Sequence, residues 1–173
     1  MRIEEEIKLD YSDVLFRPKR STLKSRKDVD LNRKYTFKHS RSSWKGIPII
    51  ASNMDGVGEI DVAKKLSSHK LMTALTKQHD INQIGTIYKK NIFFDSIALS
   101  CGTSIDSYNR LNSILKKYPK FKFICIDVAN GYSENFSNFV SEVRKKYPKK
   151  TIIAGNVVTA DMTQELVLSL IHI

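Results

Sequence analysis

Asp127 closes an apolar run, Phe123-Ile124-Cys125-Ile126, in a chain of 173 residues. A carboxylate buried beside such a run is costly unless it meets a hydroxyl, an amide or a cation. Lys77 holds the matching place after an earlier run that ends on Ala74-Leu75-Thr76. An Asp–Lys pair across a shared opening is one arrangement, and a solvated rim lysine is the other. Polar and small residues follow every apolar run in the same way. They are Ser52-Asn53-Met54-Asp55, Thr76-Lys77-Gln78-His79, Ser100-Cys101-Gly102-Thr103-Ser104, Asp127-Val128-Ala129-Asn130-Gly131-Tyr132-Ser133 and Gly155-Asn156-Val157-Val158-Thr159. Each alone suits a turn or a helix cap. Five at one topological position point to the mouth of a ligand site.

Nucleophilic and metal chemistry find little support. Cys101 and Cys125 lack any sequence signature of activation, and free cysteine is usually a small core residue. Two cysteines make neither a disulfide framework nor a four-ligand zinc site, which fits a reducing cytoplasm. His39, His69, His79 and His172 have no metal-ligand spacing, so no metal site is expected.

The elements that must position these loops alternate. Apolar runs at 47–51, 71–76, 96–100, 121–128 and 151–154 predict strands. Between them lie stripes at steps of three and four: Ile60, Ala63 and Leu66; Ile81, Ile84, Ile87 and Tyr88; Tyr108, Leu111, Ile114 and Leu115; Phe136, Phe139, Val140, Val143 and Tyr147. This spacing predicts helices. Ser104 or Asp106 caps the third and Ser133 the fourth, with Pro119 and Pro148 beyond their ends. A repeat of about 25–30 residues suits successive βαβ units of a parallel sheet. A Rossmann fold predicts G-x-G-x-x-G after its first strand, but residues 52–59 read Ser-Asn-Met-Asp-Gly-Val-Gly-Glu. A (β/α)₈ TIM barrel, present through about its fifth unit, is the expectation. Residues 1–46 are expected to form an extended arm packing on it, since Pro18 opposes a regular helix. Residues 47–169 form the partial barrel.

Hydrophobic residues make up 41% and charged residues 27%, enough to build a globular core. No uncharged apolar stretch is long enough to span a bilayer, and the acidic start lacks a signal peptide's apolar region. The net charge is +11. Its cations lie at 17–27 and then near helix ends, where they complement the helix dipole. Read along the sequence they are scattered, so no nucleic-acid or membrane partner is expected.

Several blocks together closely resemble GMP reductase, of the IMP dehydrogenase/GMP reductase family. They are Asp13-Val14-Leu15-Phe16-Arg17-Pro18-Lys19-Arg20-Ser21-Thr22-Leu23-Lys24-Ser25-Arg26, Ile47-Pro48-Ile49-Ile50-Ala51-Ser52-Asn53-Met54-Asp55, Cys125-Ile126-Asp127-Val128-Ala129-Asn130-Gly131-Tyr132-Ser133 and Ala154-Gly155-Asn156-Val157-Val158-Thr159. The resemblance implies NADPH-dependent reductive deamination of GMP to IMP and ammonia, a cytoplasmic step of purine nucleotide salvage. It implies a homotetramer and a potassium ion in the full-length enzyme. By the same resemblance Ser25, Arg26, Lys77, Asp127, Val128 and Ala129 contact the cofactor, while Ser52, Asn53, Met54 and Asn156 lie on the nucleotide side. Lys77 and Asp127 also support catalysis.

Gly56 stands where the family has Thr, and Thr76 and Gln78 stand where it has His. The family's attacking cysteine follows the sixth strand and is expected beyond Ser169, as is the potassium loop. Leu170-Ile171-His172-Ile173 read as a non-native tail, and the chain as given is expected to be inactive. An IMP dehydrogenase is the nearest alternative, but residues 76–96 leave no room for the regulatory insertion most of them carry. A non-catalytic basic fragment is the other alternative.

Overall fold

A computed structural model describes residues 5, 7, 9–89 and 94–169. The tail expected to be non-native lies outside them. The chain divides into two units, Met1–Asp30 and Leu31–Ile173. Within the first, two one-turn helices at Tyr11–Asp13 and Arg26–Asp28 are separated by extended chain. Each closes with a capping box, Asp10 with Asp13 and Ser25 with Asp28. The large apolar residues between them, Leu15 and Phe16 among them, are exposed.

The second unit opens with an antiparallel hairpin, β1 (Arg33–Thr36) and β2 (Ser43–Gly46). Five parallel strands follow: β3 (Ile50–Ala51), β4 (Met72–Leu75), β5 (Ile97–Cys101), β6 (Phe123–Asp127) and β7 (Thr151–Gly155). They lie side by side in chain order. Between and after them come α1 (Ile60–Ser68), α2 (Ile81–Lys89), α3 (Ile105–Lys117), α4 (Glu134–Lys146) and α5 (Ala160–Ser169). This neighbouring, all-parallel order is the order of a (β/α) barrel. Ser104 and Ser133 cap α3 and α4, their hydroxyls accepting from the backbone N–H groups of Ser107 and Phe136.

Side chains alternate across the sheet because successive strand residues face opposite sides. Leu75, Ile97, Leu99, Ile124 and Ile126 pack outward under the helices against Leu111, Ile114, Phe136, Val140 and Val143. Met72, Ala74, Ala98, Phe123 and Cys125 face inward and meet Trp44 of the hairpin. Sequence reading had no hairpin here, only an extended arm. Residues 33–36 are all exposed and give no apolar pattern; Trp44 and Gly46 alone bury themselves in β2.

The hairpin is tied to the base of the sheet. Trp44 Nε1 donates to Ser96 Oγ (3.5 Å), the edge of Phe37 meets the ring of Phe123, and Ser40 and Ser42 bond to Thr151 Oγ1 at 2.8 and 3.1 Å. β3 is shorter than its apolar run suggests. Ile47 N–H already donates to Lys70 O, but Ile49 N–H turns back to Ile47 O around Pro48, so regular pairing with β4 starts at Ile50.

Candidate functional site

The inward period carries on past Ala74, Ala98 and Cys125 to Thr76, Ser100 and Asp127, at the C-terminal ends of β4, β5 and β6. This is the end at which β/α barrels carry their chemistry. A cavity of about 380 Å³ opens there, lined by Lys77, Gly102, Thr103, Ser104, Ser107, Asp127, Val128 and Ala129. Four of the expected cofactor residues, Lys77, Asp127, Val128 and Ala129, therefore meet at one opening. A larger hollow of about 440 Å³ lies between α3 and α4, among Asn109, Asn135 and Asn138, and shares Thr103 with the mouth cavity.

Asp127 resolves its burial cost through an amide. Asn53 Nδ2, from the loop after β3, donates to Asp127 Oδ2 at 2.9 Å. The Asp–Lys pair considered from sequence does not form: Lys77 is exposed and makes no ion pair among the described residues. The bond spans three strand spacings, so it braces the rim from β3 to β6.

The expected nucleotide-side residues divide. Asn53 is engaged with Asp127, whereas Ser52 and Met54 are exposed at the rim. Asn156 donates to the Val128 carbonyl at 2.8 Å, binding the β7 loop to the β6 loop. Two residues without a role from sequence complete that junction. Gly131 N–H donates to Asn156 O (3.1 Å), and a Cβ at Gly131 would sit 2.6 Å from that oxygen. The Tyr132 hydroxyl accepts from the N–H groups of Val158 and Thr159 at 2.8 and 2.9 Å. Hydrogen bonds from Thr159 and Val158 favour the phenolate and lower the Tyr132 pKa.

The β4 loop is knitted to both neighbours. Thr76 N–H donates to Gly58 O, and the His79 ring lies 3.3 Å from both Gly58 O and Glu59 Oε2. Arg110 of α3 donates through Nε and Nη2 to His79 O and through Nη1 to Ser100 O. Burial lowers the Arg110 pKa, against the opposing pull of Cys101 and Asp80. An arginine holding backbone carbonyls has no sequence signature, which is why it went unforeseen. Gly56 has φ +75°, a left-handed conformation that a β-branched threonine resists. The Gly for Thr departure is thus matched by the local backbone.

Ser25 and Arg26 lie in the first unit. The Ser25 hydroxyl accepts from Lys27 N–H, and its own N–H donates to Asp28 Oδ2, so they begin a small capped turn. The cysteines behave as core residues. Burial pushes the Cys101 thiol up to about 12, reinforced by Cys125 and opposed by Arg110, and burial also raises Cys125. Among the described residues no group of three His, Cys, Asp or Glu is placed to hold a metal ion. No helix among them is long and apolar enough to cross a membrane.

Parallel β/α units in barrel order, with polar loops converging on a cleft at the strands' C-terminal ends, define the class: a (β/α)-barrel protein with its site at the mouth. The chain belongs to the IMP dehydrogenase / GMP reductase domain family, whose model matches residues 8–172. It is 48% identical over 170 residues to the GMP reductase of Caenorhabditis elegans and 50% identical over 172 residues to that of Citrobacter koseri. These alignments cover 97% and 98% of this chain but 48% and 49% of the relatives. The chain thus spans about half the length of the curated relatives it matches. Inosine 5' monophosphate dehydrogenase from Legionella pneumophila has the same fold, with a TM-score of 0.70 at 22% identity over 91% of this chain and 47% of that one.

Proposed function

We propose that this chain is the cofactor-side part of a GMP reductase, an NADPH-dependent oxidoreductase that converts GMP to IMP and ammonia. The carrying observation is the cavity of Lys77, Asp127, Val128 and Ala129 at the strand ends, in a chain about half identical to GMP reductases. The chemistry of the lining suits a dinucleotide. The Lys77 ammonium and the N-terminus of α3 beside Ser104 offer positive charge to phosphate oxygens. The Asp127 carboxylate offers acceptors to ribose or amide groups, with one oxygen fixed by Asn53. Bound NADPH would supply the hydride.

On this reading, residues 52–54 and Asn156 border the purine nucleotide, and Ser25 and Arg26 reach the cofactor of a neighbouring subunit in a tetramer. An Arg fork suits the 2′-phosphate that distinguishes NADPH. Neither Cys101 nor Cys125 serves as the nucleophile that attacks carbon 2 of the purine, because burial keeps both as thiols. Turnover therefore awaits a thiolate and a potassium site from residues outside this chain, and the 173 residues bind without converting.

Titration of the chain with NADPH and NADH, followed by nicotinamide fluorescence, tests the reading. Saturable NADPH binding, weakened roughly tenfold by Lys77→Ala or Asp127→Ala, supports it; each lost charged contact is worth about 1.5–3 kcal/mol before solvent screening. Binding that ignores both substitutions, or GMP-dependent oxidation of NADPH by this chain, contradicts it.

A further inference from the structure

The fold sorts the charges that the sequence scatters. Helix α3 ends on Lys116 and Lys117, and α4 on Lys145 and Lys146. The connections that follow add Lys120 and Lys149, all six exposed. Parallel topology places both connections at the N-terminal ends of the strands, the base of the sheet. The hairpin turn brings Lys38 and Arg41 to the same end, since Ser40 between them bonds to Thr151 at the start of β7. Most of the helices' carboxylates lie at the opposite end: Asp61, Asp106, Glu134 and Asp161 stand in first helical turns, and Asp127 is at the mouth. Near the base, Asp95 is already paired with Lys122 at 2.7 Å, and Glu142 stands one turn before the end of α4.

Dipole complementation accounts for a cation or two per helix. It does not account for a face on which eight exposed cations repel one another. The His39 ring at this end has its pKa lowered first by burial and then by Arg144 and Lys38. We infer that the base of the barrel is a docking surface for double-stranded nucleic acid, held through its phosphates without sequence preference.

The remaining chemistry of the face selects this partner. Single strands are gripped by bases stacking on free aromatic rings. Here the rings lie under lysines, Lys117 over Tyr118, Lys120 over Tyr88 and Lys146 over Tyr147, at 5.5, 5.6 and 5.9 Å, and Tyr118 is buried. Membrane surfaces are held most firmly by charge together with inserted apolar side chains. No exposed large hydrophobic residue lies within 116–122 or 144–150. What remains is a field of lysines, which contacts phosphates as point charges.

Fluorescence anisotropy with a labelled duplex of two helical turns tests this, beside the same single strand and phosphatidylserine vesicles. Duplex binding should weaken with salt, log K falling by about 3–6 per decade of salt concentration. The triple variant Lys116→Gln, Lys145→Gln, Lys149→Gln should lose at least about tenfold in affinity and flatten that slope by up to about 3. These side chains are exposed, and an unchanged circular dichroism melt checks the fold. The control Arg17→Gln, Lys19→Gln, Arg20→Gln should keep the affinity. No binding at low salt, tighter binding to the single strand or to vesicles, or a loss confined to the control variant overturns the proposal.

Discussion

Asn53 and Asp127 are 74 residues apart in sequence and 2.9 Å apart in space. Their bond joins the ends of strands that do not touch within the sheet, so the rim is braced without a continuous ladder. Asn53→Ala leaves one oxygen of a half-buried carboxylate without its donor. We expect a loss of about 1–2 kcal/mol, read as a fall in thermal midpoint of about 2–8 °C. A midpoint unchanged within a degree would show that water replaces the amide at no cost.

The buried thiols set an alkaline limit. Cys101 is raised to about 12 from its ordinary 9.0 by burial. Below pH 9 the thiol is protonated whether the chain is folded or not. Between 9 and 12 the unfolded chain releases that proton while the folded one keeps it, so stability falls as pH rises. One such thiol costs about 1.4 kcal/mol per pH unit in that window. Urea unfolding of the parent and of Cys101→Ala across pH 8–10.5 should show the parent losing stability more steeply above pH 9. Parallel curves would contradict this.

Unreactive thiols are the companion expectation. A thiol reagent at neutral pH should label neither Cys101 nor Cys125 until denaturant is added, because both are buried and raised. Rapid labelling of either in buffer would show that the sheet opens.

The junction of the β6 and β7 loops rests on an absent side chain. Gly131→Ala places a methyl against Asn156 O and Val157, and neither backbone nor packed valine yields readily. Amide exchange at Val158 and Thr159 should quicken, as in Tyr132→Phe, which deletes their acceptor. Exchange at Ile124 and Ile126 in the core should stay the same. Equal acceleration at both places would mean global rather than local loosening.

Much of the barrel was legible because each unit repeats one physical pattern. Doubly apolar runs had to be buried strands. Stripes such as Phe136, Phe139, Val140 and Val143 had to be helices facing them. Ser104, Ser133, Pro119 and Pro148 marked helix ends from local chemistry alone. The hairpin was not legible, since Arg33–Thr36 shows water all its side chains. Its case rests on Trp44, which stacks on Tyr35 within the hairpin but finds its sheet partners, Met72, Ala74 and Ala98, 28 or more residues away. The partner of Asp127 was hidden for the same reason. A carboxylate after a strand announces a need, but which of five loops meets it depends on the curvature of the sheet. Charge segregation was invisible until α3 and α4 were known to end on the same side.

Trp44 has the largest energetic consequence among these contacts. Its indole is 5% exposed and packs in one cluster with Met72, Ala74 and Ala98. Trp44→Ala should cost about 3–5 kcal/mol in urea unfolding. A cost below about 1 kcal/mol would make the hairpin an ornament.

Two alanines on neighbouring strands leave a dent, and one indole fills it. The volumes of positions 44, 74 and 98 are therefore a shared allowance that no single substitution can exceed. A leucine at 74 or 98 must evict the ring, while the same leucine beside Trp44→Ala can restore what each change alone removes. Sequences sharing this base should trade bulk between hairpin and strands, with the sum kept nearly constant.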